Sequence, residues 1–107
     1  MIVTTTNDLP GYRIVTVHGT VRGLAVRSRS LVGNIGGMLQ SLFGGNIPIY
    51  TTLAEQARAL AHDRLVAHAE ALGANAVLAM RYDSNDILSG ITEVLAYGTA
   101  VTVEPLG

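Results

Sequence analysis

The chain has 107 residues, a formal net charge of -1 and only 14 % charged residues, against roughly 25 % in a typical soluble domain. That length makes one domain spanning residues 1–107, and the near-neutral balance gives no positive field for nucleic acid. Cysteine is absent and all seven cations are arginine, which excludes disulfides, thiolate metal sites, cysteine nucleophiles and lysine Schiff-base chemistry.

The N-terminal residues Met1 to Asn7 are threonine-rich and lack the basic and apolar regions of a secretory signal, so the cytoplasm is the expected location. Tyr12 to Val17 is β-branched and aromatic, with Ile14, Thr16 and His18 on one face and Val15 and Val17 on the other. The pattern predicts a strand continuing to about Arg27, with bulges or kinks at Gly19 and Gly23.

From Ser30 to Ala54 the sequence carries no charge. Five glycines, Pro48 and polar residues interrupt this stretch, whereas a spanning helix needs about 20 mostly apolar residues, so a membrane span is not expected. Ile35, Met38, Leu39, Leu42 and Phe43 recur at helical spacing and predict a short Gly-rich helix from about Leu31 to Phe43, ended by Gly44. Its apolar surface suits a core or a subunit boundary.

Thr52-Leu-Ala-Glu55 has the form of a capping box, and Gly73 can supply a left-handed stop. Between them the spacing predicts a long helix from Leu53 to about Leu72. Leu53, Ala54, Ala57, Leu60, Ala61, Leu65, Ala71 and Leu72 share one broad apolar arc that should cover a sheet. Arg64 and His68 interrupt that arc four residues apart. A desolvated guanidinium is costly without a partner, so Arg64 should meet a carboxylate, a backbone carbonyl or a subunit boundary. An arginine beside a histidine is also a candidate site for a small anionic ligand, the first binding bidentately and the second able to move a proton.

The opposite arc carries Glu55, Gln56, Arg58, His62, Asp63 and Glu70 and reads as a solvated face. His62 and His68 lie about 120° apart on a helical wheel, the wrong disposition for one metal on one helix. His18, His62 and His68 therefore stand as metal candidates only for a site shared between subunits. Asn75 to Tyr82 predicts a buried strand; Asp83 to Asp86 and Ser89-Gly90 predict turns; Ile91 to Val103 predicts a long strand with Val94, Ala96, Gly98 and Ala100 on one face. Asp83, Asn85 and Asp86 lack the spacing of a calcium loop, Gly33-Asn-Ile-Gly-Gly37 is no phosphate loop, and no nucleophile elbow is present. The chain therefore offers no catalytic motif.

Several segments in order resemble the YbjQ-like family, also called the putative heavy-metal-binding domain family, across essentially the whole chain. They are Ile2 to Asn7, Gly11 to Ile14, Gly19 to Gly23, Phe43-Gly-Gly45 with Tyr50-Thr51, Ala57-Arg58, Leu72 to Val77 and Ala96 to Val101. The resemblance implies an α+β fold: a two-layer, dodecin-subunit-like βαββ unit with an antiparallel sheet packed by one long helix, and extra short strands used in oligomer assembly. It further implies a homopentamer and a divalent metal ion as the possible cofactor. Gly44, Gly45, Tyr50, Arg58 and Asn75 match family positions; the glycines, with Gly73, suit structural roles, and Tyr50, Arg58 and Asn75 join Arg64 and His68 as ligand or interface candidates. The expected function is a non-enzymatic, metal-binding homo-oligomer, with a binder or enzyme for a small anionic ligand at a subunit boundary as the alternative.

Overall fold

The structure, a computed structural model, describes residues 1–28, 48–88 and 91–107. In chain order these form strand β1 (Ile2–Val3), strand β2 (Tyr12–Ser28), helix α1 (Pro48–Ala71), strand β3 (Ala76–Leu88) and strand β4 (Ile91–Pro105). The expected α+β architecture is present: α1 packs on one sheet of order β1-β3-β4-β2. β2 and β3 both run antiparallel to β4, and the sheet is mixed because β1 pairs in parallel with β3. The expected helix at Leu31–Phe43, with Gly44 and Gly45, and the Ser89-Gly90 turn lie outside the described residues.

The alternation expected in β4 holds. Val94, Ala96, Gly98 and Ala100 are buried toward the helix while their neighbours are half-buried. Facing them, Val21, Gly23 and Ala25 of β2 pair with Gly98, Ala96 and Val94. The helix covers this surface with a stripe at spacing four: Ala57, Ala61, Leu65 and Ala69, none more than 2 % exposed. The stripe is narrower than the arc expected from the sequence, because Leu60 and Leu72 remain 36 % and 43 % exposed. The reason is close approach. A Cβ at Gly23 would overlap the carbonyl oxygen of Ala61 and the amide nitrogen of Leu65, so helix backbone lies directly on strand backbone and leaves little room at the flanks.

Helix α1 starts at Pro48, earlier than the capping box implies, so Thr52 lies within the helix and cannot be its cap; proline suits a first helical position because its missing N–H has no intrahelical acceptor there. The C-terminus ends as expected. Gly73 adopts φ +84°, its N–H bonds Glu70 O at 3.0 Å, and the Ala74 N–H reaches back to Ala69 O at 3.1 Å, which together form a Schellman motif.

Two strand expectations change. Register shifts in β2 fall between Ile14 and Thr16 and between Val17 and Gly19, so Gly19 marks a bulge whereas Gly23 serves as the helix seat. Asp83 to Asp86 continue β3 instead of turning, with Asp83 opposite Leu95, Asn85 opposite Glu93 and Asp86 opposite Thr92. Turn-prone residues are tolerated there because their polar side chains stay exposed to solvent. A further shift between Leu78 and Arg81 follows from Ala79, whose φ of +54° lies in the left-handed region. Opposite this bulge Gly98 is tightly enclosed: a Cβ would come within 2.7 Å of Val77 Cγ1 and 2.9 Å of Leu78 O.

A second, smaller cluster lies on the sheet face away from α1, where Ile2 and Leu9 pack over Ala76, Leu78, Val101 and Val103. The N-terminal segment is tied there by Ile2 N–H to Asn75 O, Thr4 N–H to Val77 O, Ala79 N–H to Thr6 O and Met80 N–H to Thr4 O, at 2.8 to 3.1 Å.

The helix seat gives a direct test. Gly23→Ala should lower stability by about 3 kcal/mol, because the added methyl must push a helix backbone off the sheet. Gly11→Ala, at φ +87° with nothing within 4 Å of its Cβ, should cost only about 1 kcal/mol of backbone strain. Urea unfolding midpoints of the two variants would rank these effects; equal losses would show that the close approach does not set the packing.

Candidate functional site

The candidate residues divide among three separate places in the fold. Arg64 and His68 stand one turn apart on the flank of α1 that overhangs β2. β2 is an outer strand of the sheet, and its outward backbone groups would otherwise be open to another chain. The Arg64 Nη1 donates to Leu24 O, and His68 Nδ1 lies 3.2 Å from Arg22 N and 3.3 Å from Arg22 O. With Nδ1 unprotonated, the imidazole accepts from the Arg22 N–H. Of the partners anticipated for Arg64, the structure therefore supplies a backbone carbonyl. The pair closes the β2 edge at Arg22 and Leu24, two positions apart on one strand, matching the i, i+4 spacing on the helix.

At the sheet's other end, Asn75 sits just before β3 and behaves as an extra strand residue. Its Nδ2 donates to Val103 O at 2.9 Å and its Oδ1 accepts from the Val103 N–H at 2.8 Å, while its own N–H donates to Val101 O at 3.1 Å. The amide side chain thus mimics a peptide group and extends the ladder past the end of β3. His18 is close by in the same sheet. Its Nε2 is 2.7 Å from Thr102 Oγ1, and the same hydroxyl lies 3.3 Å from Gly73 O, so Thr102 links His18 to the helix-ending turn.

The outer face of α1 holds the remaining candidates. Arg58 Nη1 lies 3.7 Å from Glu55 Oε1, both largely exposed, which makes a weak, screened pair. His62 Nδ1 is 4.0 Å from Asp63 Oδ1, with the imidazole 36 % and the carboxylate 80 % exposed. Tyr50 falls in the first turn of α1, and its side chain lies outside the described residues. The three histidines thus have three different partners: Thr102 for His18, Asp63 for His62 and the Arg22 backbone for His68. Among the described residues no group of three or more His, Asp or Glu side chains could hold a metal ion. No helix among them is long and apolar enough to cross a membrane.

Comparison with known proteins decides the family. A family model described as "putative heavy-metal-binding" matches residues 1–104. The chain belongs to the YbjQ-like family. A UPF0145 protein of Chromobacterium violaceum is 60 % identical over 105 residues, covering 98 % of this chain and 90 % of that protein. Another, from Burkholderia lata, is 56 % identical over 103 residues, covering 96 % and 87 %. A solved structure of a protein of unknown function from Pediococcus pentosaceus superposes with a TM-score of 0.61 at 19 % identity, covering 97 % of this chain and 98 % of that one, and shares the fold.

Within this YbjQ-like fold, sequence reasoning singled out Arg64, His68 and Asn75 but missed what they bond, because each partner is strand backbone 28 to 46 residues away. It also missed Thr102, whose only signal was its place in a β-branched strand.

The double bond from Asn75 to Val103 leads to a stability prediction. Asn75→Ala should cost about 2 kcal/mol, since it strands both the N–H and the C=O of a buried residue, whereas Arg58→Ala should change stability by no more than about 0.5 kcal/mol. Urea denaturation would check both, and a neutral Asn75→Ala would remove the strand-mimic role.

Proposed function

We propose that this YbjQ-like protein works as a homo-oligomer, a pentamer, without catalytic chemistry of its own, and holds divalent metal ions at its subunit boundaries. The observation that carries this reading is an apolar, largely exposed β-ribbon edge. Beyond the helix, Tyr12 to Thr16 of β2 pairs only with Thr102 to Pro105 of β4, and Tyr12, Ile14, Val15 and Val17 are 37 % to 63 % exposed. A two-stranded ribbon with apolar side chains in water is marginal on its own and gains stability from a partner surface.

Shape supports the same reading. The chain measures 59 × 24 × 17 Å with a radius of gyration of 17.4 Å, where a compact domain of this length has about 13 Å. A standard interface takes about 800 Å² from each partner. An odd-numbered ring needs two different contact surfaces on every chain. Leu24, Val26 and Ile87, 40 % to 51 % exposed, offer a second apolar surface at the opposite end from the ribbon.

For the metal, the family description and the His62–Asp63 pair are the supports. Without thiolates the ligands are imidazole and carboxylate, which suit zinc, nickel or copper. Two ligands from one chain are too few for zinc, so residues of a second copy complete the shell.

Multi-angle light scattering at micromolar concentration should give five times the chain mass, and Val17→Glu, which puts a charge on the ribbon, should release monomer. A monomeric parent protein would overturn the assembly. Calorimetric titration of the assembled protein with zinc should give saturable heat that His62→Ala abolishes; no heat from an intact oligomer would overturn the metal reading alone.

A further inference from the structure

The sheet face turned away from α1 carries a row of three residues that neither the assembly nor the metal reading uses. Arg22 of β2 lies directly opposite Tyr97 of β4, and Tyr97 directly opposite Arg81 of β3. Ala96 and Gly98, on either side of Tyr97, are buried under the helix, which places Tyr97 and its two cross-strand partners on the other face. At about 4.8 Å between strands, the two arginines stand roughly 10 Å apart at their Cα atoms with the phenol between them, well within the reach of both side chains.

Both guanidinium groups are exposed and, among the described residues, neither has an ion pair. Arg81 is anchored at the N-terminal-segment side of β3: its Nη1 donates to Thr5 O and Met80 O, each at 2.9 Å, which occupies both hydrogens of that nitrogen. The Nε and Nη2 edge is left as a two-pronged donor of the geometry that grips an oxyanion. The Arg22 guanidinium has no hydrogen-bond partner among the described residues; only its backbone is engaged, by His68. The row itself contains no carboxylate, and the closest acidic residue along β3, Asp83, stands in the next row opposite Leu95. Two like charges flanking a hydroxyl donor, with no counter-charge in the row, form a receptor for a compact anion.

We propose that Arg22, Tyr97 and Arg81 bind a small multiply charged oxyanion of the phosphate type. Arg81 supplies a bidentate contact through Nε and Nη2, Arg22 the opposing charge, and the Tyr97 O–H a further bond to an anion oxygen. This site is distinct from Arg64 and His68, whose Nη1 and Nδ1 atoms are engaged with the β2 backbone.

The test is a calorimetric titration of the full chain with inorganic phosphate at fixed pH and ionic strength. Saturable binding is expected. Arg22→Gln and Arg81→Gln should each weaken it about tenfold or more, and Tyr97→Phe by a smaller factor, while Arg58→Gln, on the outer face of α1, should leave it unchanged. Arg22→Gln is the decisive variant, since the replaced guanidinium bonds no described residue and its loss leaves the fold intact. Absence of saturable binding, or affinity unchanged in both arginine variants, would overturn the site. A parallel arm uses phosphatidylcholine vesicles containing phosphatidic acid; co-sedimentation without binding of free phosphate would overturn the small-ion reading in favour of a lipid surface.

Discussion

The packing of α1 onto β2 at Gly23 is the constraint on which the other features depend. With no side chain at that position, the helix backbone at Ala61 and Leu65 settles against the strand, and alanines at 57, 61 and 69 keep the approach close along about three turns. A larger residue at any of these points would lift the helix and open voids beneath it. The same closeness narrows the buried stripe and rotates the residues beside Leu65 toward the strand edge. That is why Arg64 and His68 reach Leu24 and Arg22 at all: their partners are main-chain atoms, and only a helix seated this low brings side chains of that length onto them.

Edge management follows from the same geometry. A four-stranded open sheet has two outer strands, each with unpaired N–H and C=O groups able to recruit another chain. On the β3 side the N-terminal segment runs along Val77 to Met80 and takes up those groups. On the β2 side the helix closes Arg22 and Leu24. Two stretches have no outer strand neighbour among the described residues: β2 from Tyr12 to Thr16, and β3 past the N-terminal segment, from Tyr82 to Ser84. At the β2 end the exposed side chains mix apolar groups, Tyr12, Ile14 and Val15, with one charged pair, Arg13 and Glu104.

The order of elements and the faces of β4 were legible in the sequence because period and burial coincide there: Val94, Ala96, Gly98 and Ala100 alternate with larger residues and lie centrally in the sheet. Gly73 was legible because a left-handed stop has a local signature. Asp83 to Asp86 were misread because turn propensity is local while strand pairing is not; the cross-strand partners Leu95, Val94, Glu93 and Thr92 of β4 hold those residues extended. Gly23 shows the same limit in another form. A glycine within a strand pattern indicates a bulge or a close approach, and only the position of α1 distinguishes them. For the site residues the sequence showed which side chains were out of place, Arg64 and His68 above all, and the hydrogen bonds that make sense of them cross the fold from helix to strand backbone.

The far face of the sheet joins the two proposed activities physically. Ile2 and Leu9 cover it at one end, Leu24 and Val26 are bare toward the other, and the Arg22–Tyr97–Arg81 row lies between. In the proposed assembly a neighbouring copy covers the bare residues and excludes water from the side of the row. Lower effective permittivity strengthens the attraction of both guanidinium groups for an anion, and it also raises the cost of leaving them unpaired. An anion in the row then relieves a penalty that assembly creates. By linkage, whatever affinity the assembled state adds for the anion is returned as added stability of the assembly when the anion is bound. The arginine row and the apolar surface beside it therefore act as one coupled element, with Tyr97 at the centre of the sheet as its fixed point.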